Sequence, residues 1–198
     1  MILPNQLTTL RIILTPIFLF LFLSEEPLLK QISLIVFLIA AISDWYDGWL
    51  ARKFNYITSW GKFLDPLADK ILTSTAFLGF VFVGVLEFWM VILIIVRDIF
   101  ITLLRAYAEY KNVSFTTSRF AKWKTFIQMS FLYYLLLIYT AKTIDYVNDY
   151  YSFILVRLSN AIFIYYMMLF VTIITVISGV SYLYSNRYLI KRLFSLEN

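Results

Sequence analysis

Four aspartates in two short stretches carry the chemistry this sequence could perform. The first stretch reads Ser43-Asp44-Trp45-Tyr46-Asp47-Gly48-Trp49-Leu50-Ala51-Arg52, the second Gly61-Lys62-Phe63-Leu64-Asp65-Pro66-Leu67-Ala68-Asp69-Lys70. On a helix Asp44 and Asp47, three apart, share a face, as do Asp65 and Asp69, four apart. The short connection 53–60 makes the two helices antiparallel neighbours, so the acidic faces can meet. Carboxylates so close repel one another in a partly dehydrated site, and an acid inside a membrane span costs about 2.5–3.5 kcal/mol. Hard divalent cations answer both problems. Mg2+ and Mn2+ take oxygen ligands and keep coordination positions for water and phosphate, so a two-metal site is the expectation. Gly48 and Gly61 fit it, since a missing side chain lets a ligand or backbone approach, and Pro66 should bend or start the second helix. The plainer alternative is a solvated helix end neutralised by Arg52, Lys53, Lys62 and Lys70, which the cost of intramembrane charge disfavours.

Composition narrows the remaining choices. With no Cys and no His, disulfides, thiolate chemistry and imidazole bases or ligands are excluded, leaving carboxylates, Lys, Tyr or metal ions. The 198 residues are 62% hydrophobic and 15% charged, whereas an ordinary globular domain is roughly 45–50% apolar and about 25% charged. In water such a chain would expose too much apolar surface, so a membrane must be its solvent. The net charge of +5 does not indicate nucleic acid, because the cations punctuate apolar runs and form no solvated basic face.

At about 20 apolar residues per helical span, the elements that must position the aspartates are six spans in one integral membrane domain over 1–198. They fall near 7–23, 28–51, 62–85, 88–110, 123–141 and 153–183, which puts both termini on one side. The outer turns, at 24–27, around Gly84 and Glu87, and at 142–151, are acidic. The opposite side holds 14 of the 17 Lys and Arg, leaving only Lys30, Lys142 and Arg157, so it and both termini are expected in the cytoplasm. The last apolar stretch exceeds what a bilayer requires, which predicts tilt or projection. No cleavable signal peptide is expected, for want of a basic lead and a cleavage site. Trp45, Trp49, Trp60 and the tyrosines of 146–151 suit interfacial belts.

The two acidic stretches match the pattern D-x-x-D-G-x-x-A-R, eight residues, then G-x-x-x-D-x-x-x-D, at Asp44, Asp47, Gly48, Ala51, Arg52, Gly61, Asp65 and Asp69. By these residues the sequence resembles the CDP-alcohol phosphotransferase family. Further segments resemble those members whose acceptor is glycerol 3-phosphate: Pro4-Asn5-x-Leu7-Thr8-x-x-Arg11, Phe63 to Lys70, Arg97-Asp98-Ile99-Phe100-Ile101 leading to Arg105, and Lys122-Trp123-Lys124-Thr125-x-x-Gln128-Met129. After Met129 only hydropathy is recognisable.

The resemblance implies transfer of the phosphatidyl group of CDP-diacylglycerol to sn-glycerol 3-phosphate, giving phosphatidylglycerophosphate and CMP, by a homodimer in a bacterial cytoplasmic membrane with its site facing the cytoplasm. It implies two divalent cations, Mg2+ or Mn2+, held by Asp44, Asp47 and Asp65 with Asp69 beside them as the base. Gly48, Ala51, Arg52 and Gly61 would line the CDP site, with Asn5 and Thr8 as further candidates. For Ala51 helix packing is an equal reading, and for Asn5 and Thr8 capping or anchoring is. The acceptor's phosphate calls for cations, for which Arg105, Arg119, Lys122, Lys124 and Lys62 are the candidates; the alternative is that they enforce topology or meet anionic headgroups. Two other functions stay open: a sibling enzyme acting on inositol phosphate, serine or phosphatidylglycerol, and a divalent-cation transporter. The transporter is disfavoured because the aspartates lie near one face, not the midplane.

Overall fold

Apolar runs separated by turn-forming residues set the helix boundaries. The computed structural model describes residues 3–54, 59–111, 113, 115 and 119–195, without the side chains of 3–7, 44–45, 47–52, 54, 59–65, 119, 192 and 194–195. Among the described residues all regular structure is helical: α1 (Leu3–Leu23), α2 (Pro27–Phe54), α3 (Ser59–Phe82), α4 (Phe88–Tyr110), α5 (Arg119–Ala141), α6 (Asp145–Leu158), α7 (Ala161–Ser185) and α8 (Arg187–Ser195).

The boundaries have local causes. Between α1 and α2 the Ser24 hydroxyl accepts from the Glu26 N–H at 3.2 Å, and Pro27 takes the first position of α2, where its missing N–H has no helical partner to lose. α3 ends in a Schellman motif: Gly84 sits at φ +76°, its N–H donates to the Val81 carbonyl, and the Val85 N–H donates to the Phe80 carbonyl, both at 2.9 Å. A left-handed φ suits glycine, so the turn expected around Gly84 forms there. Pro66 lies inside α3, which begins seven residues earlier at Ser59, so it does not start the helix.

The C-terminal third departs from expectation. Residues 145–151, read from sequence as an outer turn, belong to α6, which bends at Tyr151 (φ −122°, ψ 18°). The single span expected over 153–183 is two helices. α6 stops at Leu158, and the Asn160 side chain accepts from the N–H groups of Ile162 and Phe163 at 2.9 and 3.1 Å to start α7. Apolar residues dominate on both sides of Ser159 and Asn160, so averaged hydropathy does not register the break; the surplus length is a second helix. The Tyr134 hydroxyl of α5 donates to the Leu158 carbonyl at 2.6 Å, which ties the end of α6 to the bundle. Among the described residues α7 is long and apolar enough to cross a membrane, while the apolar segments Thr8–Leu23 and Pro27–Ser43 are shorter.

α1 packs against α2 and α3, α3 against α4, and α7 against α4 and α5. Aromatic rings fill the α1–α2–α3 seam: Phe22 meets Phe80 edge-on at 4.9 Å between centroids, and Phe18 meets Phe37 at 5.3 Å. Gly79 permits this approach, since a Cβ there would lie 3.0 Å from the Phe22 ring. Polar side chains such as Ser33, Asp98, Lys124 and Thr175 are buried, while Phe20, Phe82, Phe126 and Phe153 cover the outside. That distribution is the reverse of a water-soluble surface.

Candidate active site

α2 and α3 deliver the paired aspartates. Continuous helix runs through Asp44, Asp47, Gly48, Ala51 and Arg52 in the C-terminal part of α2, and through Gly61, Lys62, Asp65 and Asp69 in the first half of α3. The spacings therefore keep each pair of aspartates on one helical face. The side chains of Asp44, Asp47, Gly48, Ala51, Arg52, Gly61, Lys62 and Asp65, with those of Asn5 and Arg119, lie outside the described ones. Among the described residues no three metal-ligating side chains gather. The donor set along the two helices is carboxylate throughout, which fits hard divalent cations and suits no softer metal.

Asp69 opens onto a cavity of about 650 Å3 bounded by α3, α4, α5 and α7. Its carboxylate is 35% exposed, with the ammonium of the neighbouring Lys70 3.3 Å away. Arg97 and Arg105 reach the same cavity from α4, and Lys122 from α5, so four cations with Lys70 face the three acids Asp69, Asp98 and Glu109. Of the cations expected to meet an acceptor phosphate, Arg105 and Lys122 are thus brought to Asp69's compartment. The Arg105 guanidinium lies 5.9 Å from the centre of the Tyr182 ring of α7. Thr8 is buried on α1.

Lys124 is placed differently. Its ammonium is almost wholly buried and donates to the carboxylate of Asp98, itself 3% exposed. Asp98 also accepts from Arg97 Nη1 at 2.9 Å and from Gln128 Nε2 at 3.2 Å, while Arg97 Nη2 donates to Ser178 Oγ at 2.8 Å. A dehydrated carboxylate is tolerable only when paired and hydrogen-bonded in this way. Two cations share one anion, so the cluster leaves positive charge beside the cavity. The Lys124 ammonium is engaged there with Asp98.

Arg97, Asp98 and Gln128 enter the sequence reading only within the segments that resemble members acting on glycerol 3-phosphate, with no individual role, and Ser178 and Tyr182 do not enter it. One signal for Asp98 and Lys124 was present: an acid and a base inside apolar spans call for partners, and each is the natural partner of the other. Nothing in the sequence after Met129 marked Ser178 or Tyr182.

The family model for CDP-alcohol phosphatidyltransferase matches residues 1–178. Three relatives bear the name CDP-diacylglycerol–glycerol-3-phosphate 3-phosphatidyltransferase. That of Rickettsia typhi is 37% identical over 135 residues, 68% of this chain and 76% of the relative. That of Bacillus subtilis is 38% identical over 64% of this chain and 72% of its own length. That of Wigglesworthia glossinidia brevipalpis is 39% identical over 67% and 75%. With the aspartates on two continuous helices and one of them opening onto a cationic cavity, the chain belongs to the CDP-alcohol phosphatidyltransferase family.

Proposed function

We propose that the chain transfers the phosphatidyl group of CDP-diacylglycerol to the primary hydroxyl of sn-glycerol 3-phosphate, forming phosphatidylglycerophosphate and releasing CMP. The observation that carries this reading is that Asp69 shares one cavity with Arg97, Arg105 and Lys122, so a carboxylate base and cations for a second phosphate occupy one compartment. The three relatives named for this reaction support the choice of acceptor.

Asp69 takes the proton of the acceptor hydroxyl as its oxygen bonds to the phosphorus of the phosphatidyl group, and the bond from that phosphorus to the CMP oxygen breaks. Without His in the chain, a carboxylate is a base the chemistry can use. Arg105 and Lys122 hold the acceptor's phosphate, which fixes the hydroxyl near the reacting phosphorus and turns a two-body encounter into a local one. Asp44, Asp47 and Asp65, with Asp69 beside them, would hold Mg2+ or Mn2+, which when bound neutralises charge on the diphosphate. By the family resemblance Gly48, Ala51, Arg52 and Gly61, with Asn5 and Thr8, are assigned to the nucleotide, and Lys62 and Arg119 to the acceptor's phosphate.

The donor's acyl chains require a membrane. The apolar exterior, the length of α7 and the acidic and basic turns support one domain over 1–198 with six spans and cytoplasmic termini and site; a bacterial cytoplasmic membrane and a homodimer rest on the family resemblance alone. Purified enzyme given CDP-diacylglycerol, divalent metal and competing labelled acceptors tests the reading. Labelled phosphatidylglycerophosphate with metal-dependent CMP release is expected; transfer to inositol phosphate but not to glycerol phosphate overturns the acceptor, and absence of CMP release overturns the enzyme.

A further inference from the structure

We propose that α7 positions two cavity arginines through Ser178, Gly179 and Tyr182, and thereby sets the affinity for the phosphorylated acceptor; this rests on the reaction proposed above. Arg97 and Arg105 stand eight residues apart on α4, a separation that keeps them on one side of a helix, and both line the cavity. Ser178, Gly179 and Tyr182 occupy one turn of α7, which packs against α4. One turn of α7 therefore meets both arginines.

The two contacts differ in kind. The Arg97 stem crosses Gly179 so closely that a Cβ there would lie 3.0 Å from its Cγ and 3.3 Å from its Nε. Its guanidinium is held at one side by Asp98 and at the other by Ser178 Oγ. Ser178 is itself fixed by donating to the Thr175 carbonyl at 3.0 Å. An alanine at 179 requires the Arg97 stem to give way, against the bonds that hold its guanidinium. Arg105, by contrast, rests its charge on the ring of Tyr182, which is 2% exposed and packed edge-on against Phe115 at 6.2 Å. A cation–π contact of this type orients a guanidinium without itself adding a negative charge beside it. Among the described residues the buried Tyr182 hydroxyl has no hydrogen-bond partner, so the ring and not the hydroxyl carries the role. The C-terminal part of the chain, which the sequence presented as apolar anchor, is on this reading the rear support of the acceptor site.

The test compares full-length wild type, Gly179→Ala, Tyr182→Leu and Tyr182→Phe, varying glycerol 3-phosphate and CDP-diacylglycerol separately. Tyr182→Leu should raise KM for glycerol 3-phosphate roughly fivefold to tenfold, the size of one lost cation–π contact, and Gly179→Ala should raise it by about as much through loosened Arg97 hydrogen bonds, while KM for the lipid and kcat at saturation stay within about twofold. Tyr182→Phe should behave as wild type. A merely structural role would not split the two KM values, so equal changes in both, no change in either, or a Phe variant as impaired as the Leu variant overturns the proposal. Thermal unfolding with and without inorganic phosphate reads the same site without turnover. Phosphate should stabilise wild type and Tyr182→Phe more than Tyr182→Leu; equal stabilisation of all three, or none of wild type, overturns the positioning role. Wild-type inactivity with glycerol 3-phosphate beside intact phosphate stabilisation would instead refute the acceptor assignment and leave the arginine support standing. Should Gly179→Ala fail to fold, the Tyr182 pair decides alone.

Discussion

Asp69 and Asp98 line the same cavity, yet their surroundings assign them opposite work. Asp69 is 35% exposed and has a lysine from its own helix beside it at 3.3 Å. Asp98 is 3% exposed and accepts from Lys124, Arg97 and Gln128, drawn from two helices. A carboxylate with three donors in a dry setting is fixed in one position. One left open can meet a substrate hydroxyl. The α3 side of the cavity therefore holds a carboxylate available for reaction, whereas the Asp98 cluster of α4, α5 and α7 is tied up in structure.

The comparison predicts that equivalent substitutions do opposite things on the two sides. The largest effect belongs to Asp98→Leu, which leaves Lys124 and Arg97 buried without their counter-charge; a loss of about 3–5 kcal/mol of stability is expected, seen as a large fall in the unfolding temperature in detergent. Adding Lys124→Met should recover much of that loss, because replacing both partners of a buried pair by apolar residues is close to neutral. A double variant as unstable as the single would show that the pair is not what Asp98 provides.

Next in size is Asp65→Asn on the reactive side. Turnover should drop to about 1% or less, equivalent to about 2.7 kcal/mol of barrier, while the unfolding temperature holds or rises because one of four neighbouring negative charges is gone. Asp44→Asn and Asp47→Asn should match it. If Asp65→Asn keeps more than a few per cent of its turnover, or destabilises the chain as Asp98→Leu does, the division between the two sides fails.

The reactive side was legible in the sequence because its information is local. Asp44, Asp47, Asp65 and Asp69 recur at helical spacings within 26 residues, and helical period alone puts each pair on one face. The structural side is assembled from residues far apart in sequence: Lys124 lies 26 positions from Asp98, Gln128 30, and Ser178 81 from Arg97. No periodicity reports such partners, so the contact of Lys124 with Asp98 is invisible in the sequence, where Lys124 reads only as a candidate for the acceptor's phosphate. The number of helices suffered in the same way. An apolar run from 153 to 183 reads as one span, and only the capping geometry of Asn160 reveals two helices.

The smallest effect expected is the most discriminating for Asp69. Its contact with Lys70 joins neighbours in sequence at a partly exposed site, an arrangement worth about 0–1 kcal/mol and weakened by salt. Lys70→Met should therefore shift the unfolding temperature by no more than about 2–4 °C, and raising ionic strength should bring wild type and variant closer together. Such weakness is what availability requires, since a carboxylate that must face a substrate hydroxyl cannot be held by a neighbour as firmly as Lys124 holds Asp98. A loss approaching that of Asp98→Leu, insensitive to salt, would mean that Asp69 is gripped no less tightly than Asp98, and the base would have to be sought elsewhere in the cavity.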